Sequence, residues 1–359
     1  MDGHDSQRSS LSPIVGPSRA HLVRKQAGFD ARFVTADGAI IGIARSGQRF
    51  HTAVLGPSGP LRVLRGNVDG PSAIGPDGTI LGVGADDSRA NALSATGKLL
   101  WRVSSIGLPK SASPLVTANG SFFVAAEGHP EDGSSGLYVI DPSGKVTSHA
   151  VPGVPTFGVA TGVDGGVYAL LYDQESGTSS VAAFSPSLQE RWRKPLSTSL
   201  ETWGACMCLM VGPQGRLLLG DGTTLRAYEQ TGAATWAVHK ADGIGSIAER
   251  PDGSIVAAGN RLLTAISADG RTLWTADIHV HHQRPEGDAS YRPSLAVDAV
   301  GKAYVGTGDG RVVEVSPAGH VVMHISAGGY HYGFAPRVML GPRHSLIVGG
   351  VDGVVRVYR

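Results

Sequence analysis

Four tryptophans close the same short phrase, and that recurrence constrains the fold more than any other feature of the chain. The phrases are ATGKLLW ending at Trp101, SPSLQERW at Trp192, EQTGAATW at Trp236 and SADGRTLW at Trp274. Each tryptophan follows a turn position by four residues: Gly97, Leu188, Gly232 and Gly270. Weaker copies stand at Gly59, Gly144 and Gly319, so the spacings along the chain are 38, 47, 44, 44, 38 and 49 residues. A period in the forties with strand-like contents marks a radial or stacked β repeat.

Residues 71–103 show what one repeat holds. An apolar run leads to Pro76-Asp77-Gly78, TILGVG alternates as a strand, and a polar loop at Asp86-Asp87-Ser88-Arg89 precedes ANALSA. Ala95-Thr96-Gly97-Lys98 then turns the chain into LLWRV, which makes four strands and three tight connections with suitable turn residues. The first turn forms a second, independent series through Gly38, Gly78, Gly120, Gly165, Gly215, Gly253 and Gly301, with a degenerate eighth copy at Gly341-Pro342-Arg343-His344. Two turn series interleaved in constant order define four-stranded blades, so an all-β, eight-bladed β-propeller is expected. The last repeat supplies only three strands before Arg359, and GPSRAHLVRK near the start matches the fourth-strand phrase. Residues 14–26 are therefore expected to complete the last blade and cover its open edge. Residues 1–13 read as a disordered tail and 14–359 as one propeller domain.

Composition narrows the partners. Charged residues make up 17% of the chain and the net charge is +1, with Lys and Arg scattered, so nucleic acid and anionic membranes are not expected partners. No stretch is long and apolar enough to span a bilayer. The opening residues are polar and unlike a secretory signal; the expected compartment is cytoplasmic, or periplasmic or extracellular if a signal has been removed. Cys206 and Cys208 are separated by one residue, which on a regular strand is a poor spacing for a disulfide, so both read as small core residues. A single chain that supplies every blade is expected to be a monomer.

The phrase DGTILGVGADDSRANALSATGKLLW resembles the repeat of the pyrroloquinoline-quinone-like propeller superfamily. That group includes quinoprotein alcohol dehydrogenases and the propeller lipoprotein of the outer-membrane β-barrel assembly machinery. For the dehydrogenases the resemblance implies a vicinal disulfide against the quinone, calcium ligands and a catalytic aspartate. Cys206 and Cys208 are not adjacent, and the chain lacks the length and large insertions of those enzymes, so neither quinone nor calcium is expected here.

Chemistry-bearing residues concentrate in two segments between blades. HVHHQRPEGDASYRP carries His279, His281, His282, Arg284, Tyr291 and Arg292; GGYHYGFAPR carries Tyr330, His331, Tyr332 and Arg337. The two flank one blade. Arg can neutralise an anion while His and Tyr move protons, so the set suits a polar-ligand site, or an acid/base site in which His281, His331, Tyr291 and Tyr330 act on an acidic sugar. In the binding reading, His279, His282, Arg284, Arg292, Tyr332 and Arg337 hold the ligand, with the off-phase Trp203 as a stacking platform. His279 and His281 would share a face on a strand, yet no third metal ligand follows at fixed spacing, so no metal is assigned. The expected function is a non-catalytic scaffold for a polar small molecule, glycan or protein. The alternative is a lyase or hydrolase of a polar or acidic substrate such as a uronate-containing glycan. G-x-S-x-G, Walker, H-E-x-x-H and EF-hand patterns are absent from the sequence.

Overall fold

The computed structural model describes residues 12–46, 49–65, 71–84, 89–104, 115–117, 119–126, 136–150, 154–173, 176–196, 207–212, 215–278, 293–328, 335–350 and 352–359. Every regular element among them is a strand, and the strands form eight four-stranded antiparallel sheets, the blades of an eight-bladed β-propeller. Seven blades follow chain order: blade 1 within residues 29–63, blade 2 within 71–104, blade 3 within 115–150, blade 4 within 154–195, blade 5 within 207–239, blade 6 within 246–277 and blade 7 within 294–326. Blade 8 takes Arg337–Gly341, Ser345–Gly349 and Val354–Tyr358, and Leu22–Ala27 pairs with the last of these as its outer strand. The closing strand therefore starts at Leu22. The residues before it run as a non-strand segment from Ser12.

Both turn series bend the backbone as their sequences require. The seven glycines of the first series all have φ between 75° and 87°. In the second series Gly97, Gly144, Gly232, Gly270 and Gly319 lie at 81–90°, a region open to glycine and strained for other residues. Leu188 holds the same position with φ 61°, its side chain packed in the core cluster of blades 3 and 4. The degenerate turn of blade 8 bends through Arg343 (φ 58°) and His344 (φ 56°). Gly59 departs from its series and is not left-handed, because Pro60 follows it and biases the preceding residue toward extended conformations.

The chain divides into two compact units, Ile40–Glu201 and Asp2–Ala39 with Thr202–Arg359. Within each, the core lies between consecutive blades: in the first between blades 2 and 3 and between 3 and 4, in the second between 5 and 6, 6 and 7, and 7 and 8. Trp101, Trp236 and Trp274 work at these junctions, partly buried and not enclosed. Trp101 donates its indole N–H to the carbonyl of Pro142 (3.0 Å), Trp236 to Ala268 (2.9 Å) and Trp274 to Pro317 (3.0 Å), in each case in the next blade. The acceptor stands two residues before the turn glycine. A Cβ on Gly144, Gly270 or Gly319 would fall 2.5–2.7 Å from a ring atom of the tryptophan, so those glycines serve the turn and the ring together.

A regular bulge sets this geometry. The register between third and fourth strands shifts just before the tryptophan, from Leu93↔Leu99 to Ala92↔Trp101, from Tyr228↔Ala234 to Ala227↔Trp236 and from Ile266↔Thr272 to Ala265↔Trp274. The skipped residue is pushed outward, which accounts for the exposure of Leu100, Leu273 and, in blade 7, Val322. Cys208 corrects the sequence reading: it is disulfide-bonded, and Cys206 is the only other cysteine in the chain. Cys208 is partly buried, packed against the core cluster of blades 5 and 6.

Candidate functional site

Antiparallel order within a blade sends the first-to-second and third-to-fourth connections to one end. The second-to-third hairpin and the link to the next blade go to the other. The first end carries the two series of glycine turns. The second carries the remaining connections, including both segments singled out above.

Of the predicted residues, Arg337 is described. His279, His281, His282, Arg284, Tyr291, Arg292, Tyr330, His331, Tyr332 and Trp203 lie outside the described residues. The anchors of both segments are defined. Ile278, fully buried, donates its amide to the carbonyl of Arg261 (2.9 Å) where the first segment leaves blade 6. Its return is seated by Pro293 against Gly245, where a Cβ would come within 2.3 Å of the proline ring. The second segment leaves with Ala327, whose amide donates to Gly310 (2.8 Å) and whose carbonyl accepts from Arg356 (3.2 Å). It returns at Pro336, packed so closely on Gly306 that no side chain fits between them. The two return points meet: the amide of Val338 donates to the hydroxyl of Ser294 over 3.0 Å.

Arg337 begins the innermost strand of blade 8. Its guanidinium donates to the Ala31 carbonyl (2.7 Å) and contacts the Asp30 carboxylate (3.3 Å), which also pairs with Arg32 (2.6 Å). Two cations thus share one carboxylate beside the segment that ends at Arg337.

The hairpins at this end are braced by acid–base pairs. Asp309 is enclosed, accepts from the Thr307 hydroxyl (2.5 Å) and pairs with Arg311 (2.5 Å). Asp352 pairs with Arg356 (2.6 Å). Burial raises the Asp352 carboxyl, and the Arg356 hydrogen bond and charge more than offset that, holding it below its ordinary range. The Lys240–Gly245 link contains a buried ammonium: Lys240 is ion-paired with Asp242 and donates to the Leu262 carbonyl (2.9 Å). Burial lowers its pKa against the opposing pull of Asp242. The other Asp242 oxygen accepts the amides of Arg261 (3.2 Å) and Leu262 (2.7 Å), so this cluster fixes a hairpin. Among the described residues, no group of three or more His, Cys, Asp or Glu side chains is arranged to hold a metal. None of them forms a helix long and apolar enough to cross a membrane.

Fold and repeat together define a class, an eight-bladed propeller resembling the pyrroloquinoline-quinone-like superfamily. A family model described as outer membrane protein assembly factor BamB matches residues 177–330. The structure is similar to BamB from Moraxella catarrhalis, with a TM-score of 0.65 and 16% identity over 95% of this chain and 100% of that one. It is also similar to a europium-containing methanol dehydrogenase, with a TM-score of 0.69 and 15% identity over 98% and 90% of the two chains. Streptogramin B lyase aligns with a TM-score of 0.55 and 12% identity over 81% and 94%. At these identities the likeness is one of fold. No curated protein sequence matches the chain significantly.

Proposed function

We propose that this protein is a non-catalytic binding scaffold that engages a partner protein, a glycan or another polar ligand through the end of the blades bearing the hairpins and interblade segments. One observation carries the reading: the return points of the two His/Tyr/Arg-rich segments are joined by the Val338–Ser294 hydrogen bond, beside the Arg337–Asp30–Arg32 cluster. Binding residues concentrate on irregular segments held by a rigid scaffold, whereas the opposite end offers tight glycine turns. The match to an assembly factor over residues 177–330 supports a protein as the partner.

Site-specific photocrosslinking tests this. A photoreactive amino acid is introduced in turn at Arg284 and Tyr332, and at Asp77 and Asp252 on the turn end, and adducts are identified by mass spectrometry. Protein or glycan adducts are expected from the first pair and not from the second. Adducts from the turn end alone would refute the assignment.

A further inference from the structure

On the turn end of blades 7 and 8, residues 12–16 lie in a groove that reads backbone more than side chains. The Ser12 amide donates to the Val297 carbonyl (2.8 Å), and the Ile14 carbonyl accepts the Ala299 amide (3.1 Å). The Val15 carbonyl accepts from His344 Nδ1 (3.1 Å), and the Gly16 amide donates to Asp298 Oδ2 (3.0 Å). Asp298 is fully buried, and its other oxygen accepts the amides of Val300 (3.0 Å) and Lys302 (2.9 Å). Gly16 sits on the hydroxyl end of Tyr304, also fully buried, where a Cβ would lie 2.1 Å from the phenol oxygen. That hydroxyl shares its enclosed site with the carboxylates of Asp298 and Glu314, and Glu314 pairs with Lys302 (2.9 Å). Burial first, and then these two charges, hold the phenol above its ordinary range.

Such a groove has two recognition elements. The Val297 carbonyl and Ala299 amide on blade 7, with the Asp298 carboxylate and the His344 imidazole, contact only the backbone of the segment and so suit any extended chain, as when a strand is added to a sheet edge. The floor above Tyr304 then demands glycine at one position, and Pro17, buried beside it, follows. The segment belongs to no strand, and the five register pairs that hold Leu22–Ala27 on blade 8 do not involve it. It is therefore the part of the closure that can leave while the last blade stays complete. We propose that residues 12–16 are a displaceable strap in a glycine-selective peptide groove, and that the groove takes an extended, apolar Gly-Pro peptide from another protein when the strap leaves. The strap acts as a built-in competitor: a partner gains the same four backbone contacts and must outcompete a segment present at high effective concentration.

The test uses the full chain carrying Gly16→Ala, with amide hydrogen exchange read at Ala299, whose amide is held by the strap carbonyl. The variant should exchange about tenfold faster there, as expected for loss of one net hydrogen bond, while keeping a cooperative unfolding transition. Added synthetic peptide SPIVGPS should restore protection, and SPIVVPS should not. If Gly16→Ala fails to fold, the chain lacking residues 1–16, with Leu22–Ala27 intact, is tested in the same way. Unchanged exchange at Ala299 overturns the strap; rescue by both peptides, or by neither, overturns the glycine-selective groove.

Discussion

Replacing Trp236 with Ala tests how neighbouring blades are held together. Complete burial of an indole would put the loss at about 3–5 kcal/mol. Two features lower that figure. The ring is partly buried, packed at the margin of the core cluster between blades 5 and 6. Its acceptor, the Ala268 carbonyl, also accepts from Arg216 and is not orphaned when the indole is removed. The expected loss is about 2–3 kcal/mol, of which the hydrogen bond accounts for about 1 kcal/mol. Trp236→Phe should lose only the smaller part. Gly270→Ala attacks the same contact from the other side. Its φ of 86° strains any L-residue by about 1–2 kcal/mol, and its Cβ would sit 2.7 Å from the ring. In the double variant the clash vanishes and only the backbone strain remains, so the combined loss should fall short of the sum by about 1 kcal/mol. Urea titrations of the four proteins measure this. A loss below about 0.5 kcal/mol for Trp236→Ala, or strict additivity of the pair, would show that ring and turn glycine are not one unit.

Deleting residues 1–27 removes Leu22–Ala27 from Val354–Tyr358 and bares the edge of blade 8, so the urea midpoint should fall sharply; an unchanged midpoint would contradict the pairing. Arg343→Asn replaces an exposed residue at φ 58° with one that tolerates the left-handed region, and should stabilise by about 0.5 kcal/mol in the same titration. Acid should weaken the fold through Asp352, whose folded pKa lies below the ordinary 3.8. Its stabilisation is present above that value and is lost as pH falls through 3.8 toward the folded pKa, so Asp352→Asn should flatten the acid limb of a stability–pH profile. His281→Ala with His331→Ala should abolish ligand binding, or turnover of a uronate-containing glycan if the protein is a lyase, while leaving the thermal transition in place; retained binding removes both residues from the site.

The fold was legible because its turns are chemically demanding. Glycine recurs where φ must be positive, and the phase of the tryptophans fixed the strand order even where Leu188 replaced the glycine. What stayed hidden depended on contacts distant in sequence or on local backbone detail. A bulge leaves no mark of its own, so Leu100 and Leu273 gave no sign that they would be turned outward. Gly59 fitted the pattern, and Pro60 overrode it. The pairing of Asp309 with Arg311 was masked by the ordinary polarity of loops, and the enclosure of Lys240 by the short link that contains it. For the candidate site, the sequence supplied residue types and the segments that hold them. The structure adds their anchor points and the Asp30–Arg32–Arg337 cluster, of which sequence reasoning identified Arg337 alone.

The two ends of the blades therefore differ in the kind of recognition they offer. At the hairpin end, buried ion pairs such as Asp309–Arg311 and Lys240–Asp242 stiffen the hairpins and links from which variable segments extend, so side chains on those segments can change without disturbing the blades. At the turn end, the seat of residues 12–16 holds its segment through that segment's backbone. A partner read by side chains and a peptide read by its backbone would engage opposite ends without competing. Substitutions in one site should leave binding at the other unchanged, and thermodynamic coupling between them would show that the blades transmit what this separation says they do not.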